Sequence, residues 1–274
     1  EDNKDIYKAM KLAYNKIKDQ IEVTDFYIMG YSLGGSNAAV LSYIDEKEKV
    51  FNFKRVFMVN PPVELYDSAV KLDKYLDEYT GGKTAGIEKL LNTTLAKVEG
   101  GLTSEYANIG VDTIYNIVKG NILSDAEKKA YIGLAFRLAS NDLNFISDFI
   151  SKSHVYTKNP EKVNKYTNMK EYLKTVNFAT FEDYVNKVGF PYYKKHDKDF
   201  TIESLKWKAS LRVIEDYLRA SPKIAAVTNI DELILNEKDI NFLKDVFKDR
   251  LVIYPKGGHC GNMFYKENVD VMLK

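Results

Sequence analysis

The sequence predicts an α/β fold, in which a parallel β-sheet with flanking helices is interrupted by a long helical insertion. Residues 25–30 (DFYIMG) and 53–60 (FKRVFMVN) are short, apolar, strand-like runs joined by a helical segment, which is the strand–helix–strand unit of a parallel sheet. Strand-like runs return at 224–228 and 251–254. Between about residues 63 and 200 the apolar residues recur at helical spacing, without a convincing strand.

The N-terminal elements follow one another closely. Residues 4–19 predict an amphipathic helix, since apolar side chains recur there every three or four positions. After a buried strand at 25–30, a helix is predicted from about residue 33 to 46. It begins with the small residues GGSNAA, which allow close packing against a sheet. The next strand, 53–60, ends at two prolines.

The C-terminal elements restore the sheet pattern. A helix over 204–218 ends before a proline, and a strand is predicted at 224–228 (IAAVT). A helix at about 237–248 leads to the strand LVIY at 251–254. The last predicted helix runs from about residue 262 to the end of the chain.

The two α/β segments, residues 1–62 and 203–274, need each other to complete one sheet. We therefore predict a single α/β core formed by both ends of the chain, with residues 63–202 inserted as a helical block. The alternative is that the helical block forms a separate domain.

Composition excludes some classes of partner. The chain has 274 residues, 45% of them hydrophobic, and 40 Lys+Arg against 39 Asp+Glu give a net charge of +1. This balance offers no electrostatic reason to expect a nucleic-acid partner or an anionic membrane surface. No run approaches the roughly 18 apolar residues of a membrane span. The single cysteine excludes an internal disulfide but does not indicate a compartment, so localisation and oligomeric state stay open.

A glycine–serine motif lies where the first predicted strand meets its helix. Gly30-x-Ser32-x-Gly34 leaves no room for an ordinary loop, so the chain must bend sharply and thrust the side chain of Ser32 outward. Such a motif arises by chance in about one chain of this length in ten. Its position between a strand and a helix is therefore stronger evidence for a sharp turn than the motif itself. It resembles the nucleophile elbow of the α/β-hydrolase superfamily, which often reads G-[YH]-S-[LM]-G-G. The resemblance implies Ser32 as nucleophile and the backbone N–H of Leu33 as one oxyanion-hole donor.

Only one of the three histidines lies at a place suited to catalysis. His154 and His196 lie in lysine- and tyrosine-containing stretches and are expected to be solvated. His259 follows the strand LVIY and a glycine-rich turn, and the local sequence GGHCG resembles the G-G-H-x-G ending of the same superfamily. The resemblance implies that His259 takes the serine proton and later returns it to the leaving group.

The acid of a Ser–His–acid triad is expected just past the strand at 224–228. Asp231 lies there, separated from His259 by one helix and one strand. Glu232 is adjacent and could serve instead, although Asp231 occupies the position that the superfamily usually uses. The order Ser32, Asp231, His259 along the chain is also the superfamily's order. No cluster of His, Cys and Asp has metal-ligand spacing, and neither a metal nor another cofactor is predicted.

The resemblance also interprets the helical block and implies a function. In this superfamily an insertion after the strand that follows the elbow helix is a cap over the active site, so residues 63–202 are expected to cover Ser32. The implied function is a serine hydrolase that cleaves an ester, thioester or amide of a small acyl substrate through an acyl-enzyme. A peptidase or acyltransferase with the same triad, and a non-catalytic binding protein on a hydrolase scaffold, remain as alternatives.

The fold is expected to be N-terminally incomplete relative to that superfamily. Its members have strands before the elbow, and a loop after one of them donates the second oxyanion N–H. Only 31 residues precede Ser32, and they predict one helix and one strand. We therefore expect the elbow strand to be unpaired on one side, unless another chain supplies a neighbour.

Overall fold

The computed structural model describes residues 2–101, 123–176 and 179–273. The chain divides into two compact units. The first comprises the residues up to Ser68 and those from Glu203 onward, and the second comprises Ala69–Ile202.

The first unit contains a four-stranded, wholly parallel sheet in the order β1-β2-β3-β4. Both ends of the chain contribute strands, as the sequence predicts. In the register of the sheet, Met29 lies opposite Phe57, and Phe57 lies opposite Ala225. The strands are β1 (Tyr27–Tyr31), β2 (Arg55–Val59), β3 (Ile224–Asn229) and β4 (Leu251–Tyr254).

Helices flank both faces of this sheet, which makes the first unit an α/β fold. Gly30 of β1 faces the helix that follows it, and it pairs with Met58. Val59, the residue after Met58, forms a core cluster with Val227, and Val271 of the last helix packs against that cluster. Because neighbouring strand residues point to opposite faces, the two helices lie on opposite sides of the sheet. The helices of this unit are α1 (Asp2–Ile17), α2 (Leu33–Glu48), α10 (Ile202–Lys208), α11 (Glu215–Ala220), α12 (Glu237–Phe247) and α13 (Lys266–Leu273), with short 3₁₀ turns at Leu211–Ile214 and Lys248–Arg250.

The first strand is exposed, in contrast with the second. Three side chains of β1, namely Tyr27, Met29 and Tyr31, are between 52% and 67% exposed, whereas Val56 and Met58 of β2 are fully buried. The prediction of a buried strand is therefore wrong for β1. The reason is its place in the sheet, since β1 pairs with β2 on one side and with no described strand on the other.

A buried carboxylate fixes the end of α2 that lies far from Ser32. Asp45 accepts a hydrogen bond from the hydroxyl of Tyr7 at 2.5 Å, and it also accepts the backbone N–H groups of Phe51 and Asn52. One side chain thus ties α1 and the chain after α2 to the same point. These contacts fix the C-terminal end of α2, while its N-terminal end follows Ser32 directly.

The second unit consists, in its described residues, of helices joined by turns and irregular segments. No strand occurs in residues 69–101, 123–176 and 179–202, as predicted, while residues 102–122 of the predicted insertion lie outside the described residues. A buried ion pair joins Arg137 to Asp73, with Nε and Oδ1 at 2.7 Å. The prediction that this block covers Ser32 stays a prediction. Its helices are α3 (Leu65–Thr80, which begins in the first unit), α4 (Thr84–Gly101), α5 (Asp125–Ala139), α6 (Asn141–Ser151), α7 (Lys170–Val176), α8 (Phe181–Tyr184) and α9 (Phe190–His196), with a 3₁₀ turn at Pro160–Lys162 and a π-helical turn at Val185–Gly189.

The features of a membrane span and of a metal site are absent from the part of the chain that the structure describes. None of its helices combines the length and the apolar character needed to cross a membrane. Nor do its His, Cys, Asp and Glu side chains form a group of three that could hold a metal ion.

Candidate active site

Ser32 occupies a strained turn between β1 and α2. Its φ of 53° and ψ of −130° lie in a region that residues with a side chain rarely adopt. The backbone is held there from two sides, since the N–H of Ser32 donates to the carbonyl of Val59 at 2.8 Å and its own carbonyl accepts from Gly35 at 2.9 Å. The turn fixes the direction in which the hydroxyl of Ser32 projects.

The glycines around Ser32 differ in how strictly the turn requires them. A Cβ at Gly30 would lie 1.9 Å from the carbonyl oxygen of Gly34, so no side chain fits at position 30. At Gly34 a Cβ would meet nothing within 4 Å. The turn therefore requires glycine at position 30 but not at position 34. Gly35 is more constrained than Gly34, since a Cβ at Gly35 would lie 3.3 Å from Cβ of Pro61.

The imidazole of His259 joins Ser32 to a buried acid. Its Nε2 lies 2.9 Å from Oγ of Ser32, and its Nδ1 lies 2.8 Å from Oε1 of Glu232. The side chain of Glu232 is 1% exposed and that of His259 is 24% exposed. These three residues follow the carboxyl ends of β1, β3 and β4, which meet at one edge of a parallel sheet.

The carboxylate that meets the imidazole is that of Glu232, so the prediction that Asp231 contacts His259 is wrong. Asp231 is exposed, and its Oδ1 accepts the backbone N–H of Gly258 at 2.8 Å. Neighbouring residues in this turn point apart, so only one of the two carboxylates can reach the imidazole. Asp231 instead stabilises the loop that carries His259, through its contact with the residue before the histidine.

Three buried asparagines, which the sequence analysis does not single out, hold the acid and the histidine loop. Asn60 donates to Oε2 of Glu232. Asn229 donates to the carbonyl of Gly258 at 2.6 Å, and Asn262 donates to Oδ1 of Asn229 at 2.8 Å. Asn60 directly follows β2 and Asn229 ends β3. A polar residue at the carboxyl end of a buried parallel strand is the signal that could have identified both of them, because binding sites of such sheets lie there.

The histidine loop comes close enough to these amides to need glycine. Gly257 has a φ of 152°, and a Cβ there would lie 2.8 Å from the side-chain amide of Asn229. Gly258 has a φ of 54°, in the left-handed region that favours glycine. The two glycines therefore let the loop pack on Asn229 while it presents His259 toward Ser32.

The environment of His259 favours its protonated form. Burial by itself would lower the pKa of the imidazole, but its contacts with Cys260 and with the carboxylate of Glu232 outweigh burial and raise the pKa of His259 to about 9. Glu232 can therefore stabilise the imidazolium that forms when the ring accepts a proton. The neutral ring, which a general base requires, becomes the main form only in alkaline solution.

A groove beside Ser32 offers room for a small molecule. It has a volume of about 610 Å³ and lies along β1 and the first turns of α2. Apolar side chains form much of its wall, among them those of Ile28, Leu33 and Leu41. Leu33 is also the first residue of α2, so its backbone N–H has no partner within the helix.

The other histidines lie away from this arrangement in the chain and belong to the second unit. His154 and His196 are both exposed, as expected. Nδ1 of His196 lies 2.8 Å from the carbonyl oxygen of Tyr192, one helical turn earlier. Neither residue contributes to the contacts around Ser32.

Comparison with known proteins assigns no family to the chain. No protein-family model matches it, and no curated protein is significantly similar to it. The functional interpretation therefore depends on the arrangement of Ser32, His259 and Glu232.

Proposed function

We propose that this protein is a serine hydrolase of the α/β-hydrolase type, which cleaves an ester, or a thioester or amide, of a small acyl substrate. The observation that carries the proposal is the pair of contacts from Ser32 Oγ to His259 Nε2, at 2.9 Å, and from His259 Nδ1 to Glu232 Oε1, at 2.8 Å. A nucleophile, a base and an acid that orients the base are the three groups that acyl transfer requires. In this proposal residues 63–202 are the cap of the enzyme.

In the first half-reaction, Nε2 of His259 accepts the hydroxyl proton of Ser32 while Oγ attacks the carbonyl carbon of the substrate. Glu232 stabilises the imidazolium that forms. The developing oxyanion accepts a hydrogen bond from the N–H of Leu33, at the N-terminus of α2, where the helix dipole also favours negative charge. The imidazolium then gives its proton to the leaving group, the carbonyl re-forms, and the acyl group remains on Ser32.

In the second half-reaction, water replaces the leaving group. His259 accepts a proton from water, the hydroxide oxygen attacks the acyl carbon, and the proton returns to Oγ of Ser32 as the acid departs. The wall of the groove beside Ser32 supports an apolar acyl group. Its volume of about 610 Å³ lies within the range of small-molecule sites.

Labelling with a fluorophosphonate probe tests the proposal directly, because the probe reacts with an activated serine. We expect labelling of the folded wild-type protein and none of the Ser32→Ala variant. Ser36→Ala is the matched control, since Ser36 lies in the same helix and its hydroxyl donates to the carbonyl of Pro62 at 2.8 Å. A screen of p-nitrophenyl esters of increasing chain length then identifies the preferred acyl group.

The same experiment separates this proposal from its alternatives. A folded wild-type protein that takes no label would favour a binding protein on a hydrolase scaffold. A labelled protein that leaves all the esters intact would favour a peptidase or an acyltransferase.

A further inference from the structure

We propose that Asn60 is a positioning residue for Glu232, whose side-chain amide holds the carboxylate in the one orientation that presents Oε1 to His259. This inference rests on the proposed function, because it assigns Asn60 a role in the same acyl transfer. The side-chain amide of Asn60 contacts Glu232 and the carbonyl of Gly258 rather than Ser32 or the imidazole, so it acts through the acid.

The contacts of Glu232 show how its orientation is fixed. Its Oε2 accepts the amide of Asn60, while its Oε1 meets Nδ1 of His259 at 2.8 Å and the backbone N–H of Ile234 at 3.3 Å. A carboxylate can rotate about its last carbon–carbon bond unless both oxygens are engaged. Asn60 engages the oxygen that the histidine leaves free.

The amide of Asn60 must turn its nitrogen toward the acid, since its oxygen would repel a carboxylate. The residue is fully buried, and its Oδ1 has no hydrogen-bond partner among the described residues. The favourable contact to Glu232 therefore accounts for the placement of a polar side chain that burial alone would disfavour. The φ of Asn60 is 47°, in the left-handed region that asparagine tolerates better than most residues.

Asn60 also connects the acid to the loop that carries the histidine. Its Nδ2 lies 3.4 Å from the carbonyl of Gly258, which accepts from Asn229 as well. Gly258 immediately precedes His259. One amide thus contacts both the acid and the backbone beside the base, so it sets the position of each relative to the other.

Two variants remove the donor in different ways. Asn60→Gly deletes the amide without straining the positive φ, and Asn60→Asp keeps the shape but places a second carboxylate beside Glu232. Asn268→Asp is the matched control. Asn268 is also fully buried, donates once, to the carbonyl of Met263, and has an Oδ1 without a partner among the described residues.

The first readout is the NMR titration of the His259 ring, which needs no catalytic activity. The groups that raise the pKa of His259 are Glu232 and Cys260. Asp231 is a further carboxylate on the same loop, since its Oδ1 accepts the backbone N–H of Gly258. We expect the pKa of His259 to fall from about 9 in Asn60→Gly, because Glu232 is free to turn away, and to rise in Asn60→Asp, because a second carboxylate faces the site. It should stay near 9 in Asn268→Asp.

The second readout is kcat/KM for an ester, which we expect to fall about 10-fold to 100-fold in both Asn60 variants, by analogy with the loss of outer-shell partners that orient metal ligands. An unchanged His259 pKa in the Asn60 variants would overturn the inference. If Asn60→Gly does not fold, Asn60→Ala deletes the same amide and takes its place in the titration. If the wild-type protein has no hydrolase activity, the proposed function fails, and the titration still shows whether Asn60 controls the contact between Glu232 and His259.

Discussion

Oγ of Ser32 lies 2.9 Å from Nε2 of His259, although the two residues are 227 positions apart in the chain. The parallel sheet explains this proximity, because the carboxyl ends of β1 and β4 lie at the same end of the sheet. Ser32 follows the first of these strand ends and His259 follows the other. The strained φ of Ser32 and the positive φ of Gly258 complete the approach from either side. The proximity of this hydroxyl and this imidazole is thus a consequence of strand direction and of two unusual backbone turns.

The identity of the acid can be tested by two conservative changes at adjacent positions. Glu232→Gln removes the charge that faces His259 and should lower kcat for ester hydrolysis about 10⁴-fold, the loss known for amidation of a triad acid. Asp231→Asn keeps an oxygen that can accept the N–H of Gly258, so we expect a change of less than about 10-fold. Initial rates on a p-nitrophenyl ester measure both. A larger loss in Asp231→Asn than in Glu232→Gln would return the role to Asp231.

The sequence could narrow the acid to two neighbours but could not choose between them. Both residues follow the same strand, and the choice depends on how the turn after Asn229 directs each side chain. The backbone N–H of Glu232 bonds to the carbonyl of Asn229 at 3.4 Å, and this turn sends Glu232 inward. Turn geometry of this kind depends on what packs against it, including the loop at Gly257, and is not encoded in the two residues alone.

Other features of the molecule also divide into those that the local sequence pattern predicts and those that depend on tertiary packing. The parallel sheet was predictable because apolar strand-like runs alternate with helices at both ends of the chain. The exposure of β1 was not, since Tyr27 and Met29 have the same apolar character as the buried strand residues. The role of Asn60 depends on a contact with a residue 172 positions away, which no local pattern contains.

The raised pKa of His259 predicts a shift in activity toward alkaline pH. A general base must be neutral, so kcat/KM should increase with pH and level off only above about pH 9. In Glu232→Gln the midpoint of this increase should move to lower pH, because one of the contacts that raise the pKa is gone. A profile that is already flat at pH 7 in the wild-type protein would contradict this expectation.

The same group makes folding stability depend on pH. The pKa of His259 is about 9 in the folded chain, against about 6.5 for a free imidazole, so the folded state binds the proton more tightly. Its contribution is fully present below about pH 6.5 and is lost as pH rises through about 9. The difference corresponds to about 3 kcal/mol. Chemical denaturation at several pH values should show a smaller decline over this window in His259→Gln than in the wild-type protein.

The elbow glycines should respond differently to the same substitution. Gly30→Ala places a Cβ against the backbone of Gly34 at 1.9 Å, so β1 and α2 must move apart, and we expect a loss of about 3 kcal/mol in unfolding free energy. Gly34→Ala meets open space in the first turn of α2 and should change stability by less than about 1 kcal/mol, in the stabilising direction. Urea denaturation of the two variants measures this contrast. Equal losses would mean that the crowding at Gly30 is relieved by a small shift of the chain.

The open edge of β1 should promote self-association. Tyr27, Met29 and Tyr31 are all more than half exposed on a strand that has a described neighbour on one side only, and an exposed apolar edge is a template for pairing with another chain. Met29→Lys puts a charge on this edge and should weaken association about tenfold, which corresponds to about 1.4 kcal/mol. Leu12→Lys is the control, because Leu12 is 65% exposed on α1 and lies outside the strand. Sedimentation velocity over a range of concentrations compares the three proteins. A wild-type chain that stays monomeric throughout, or an equal effect of Leu12→Lys, would show that this edge does not drive association.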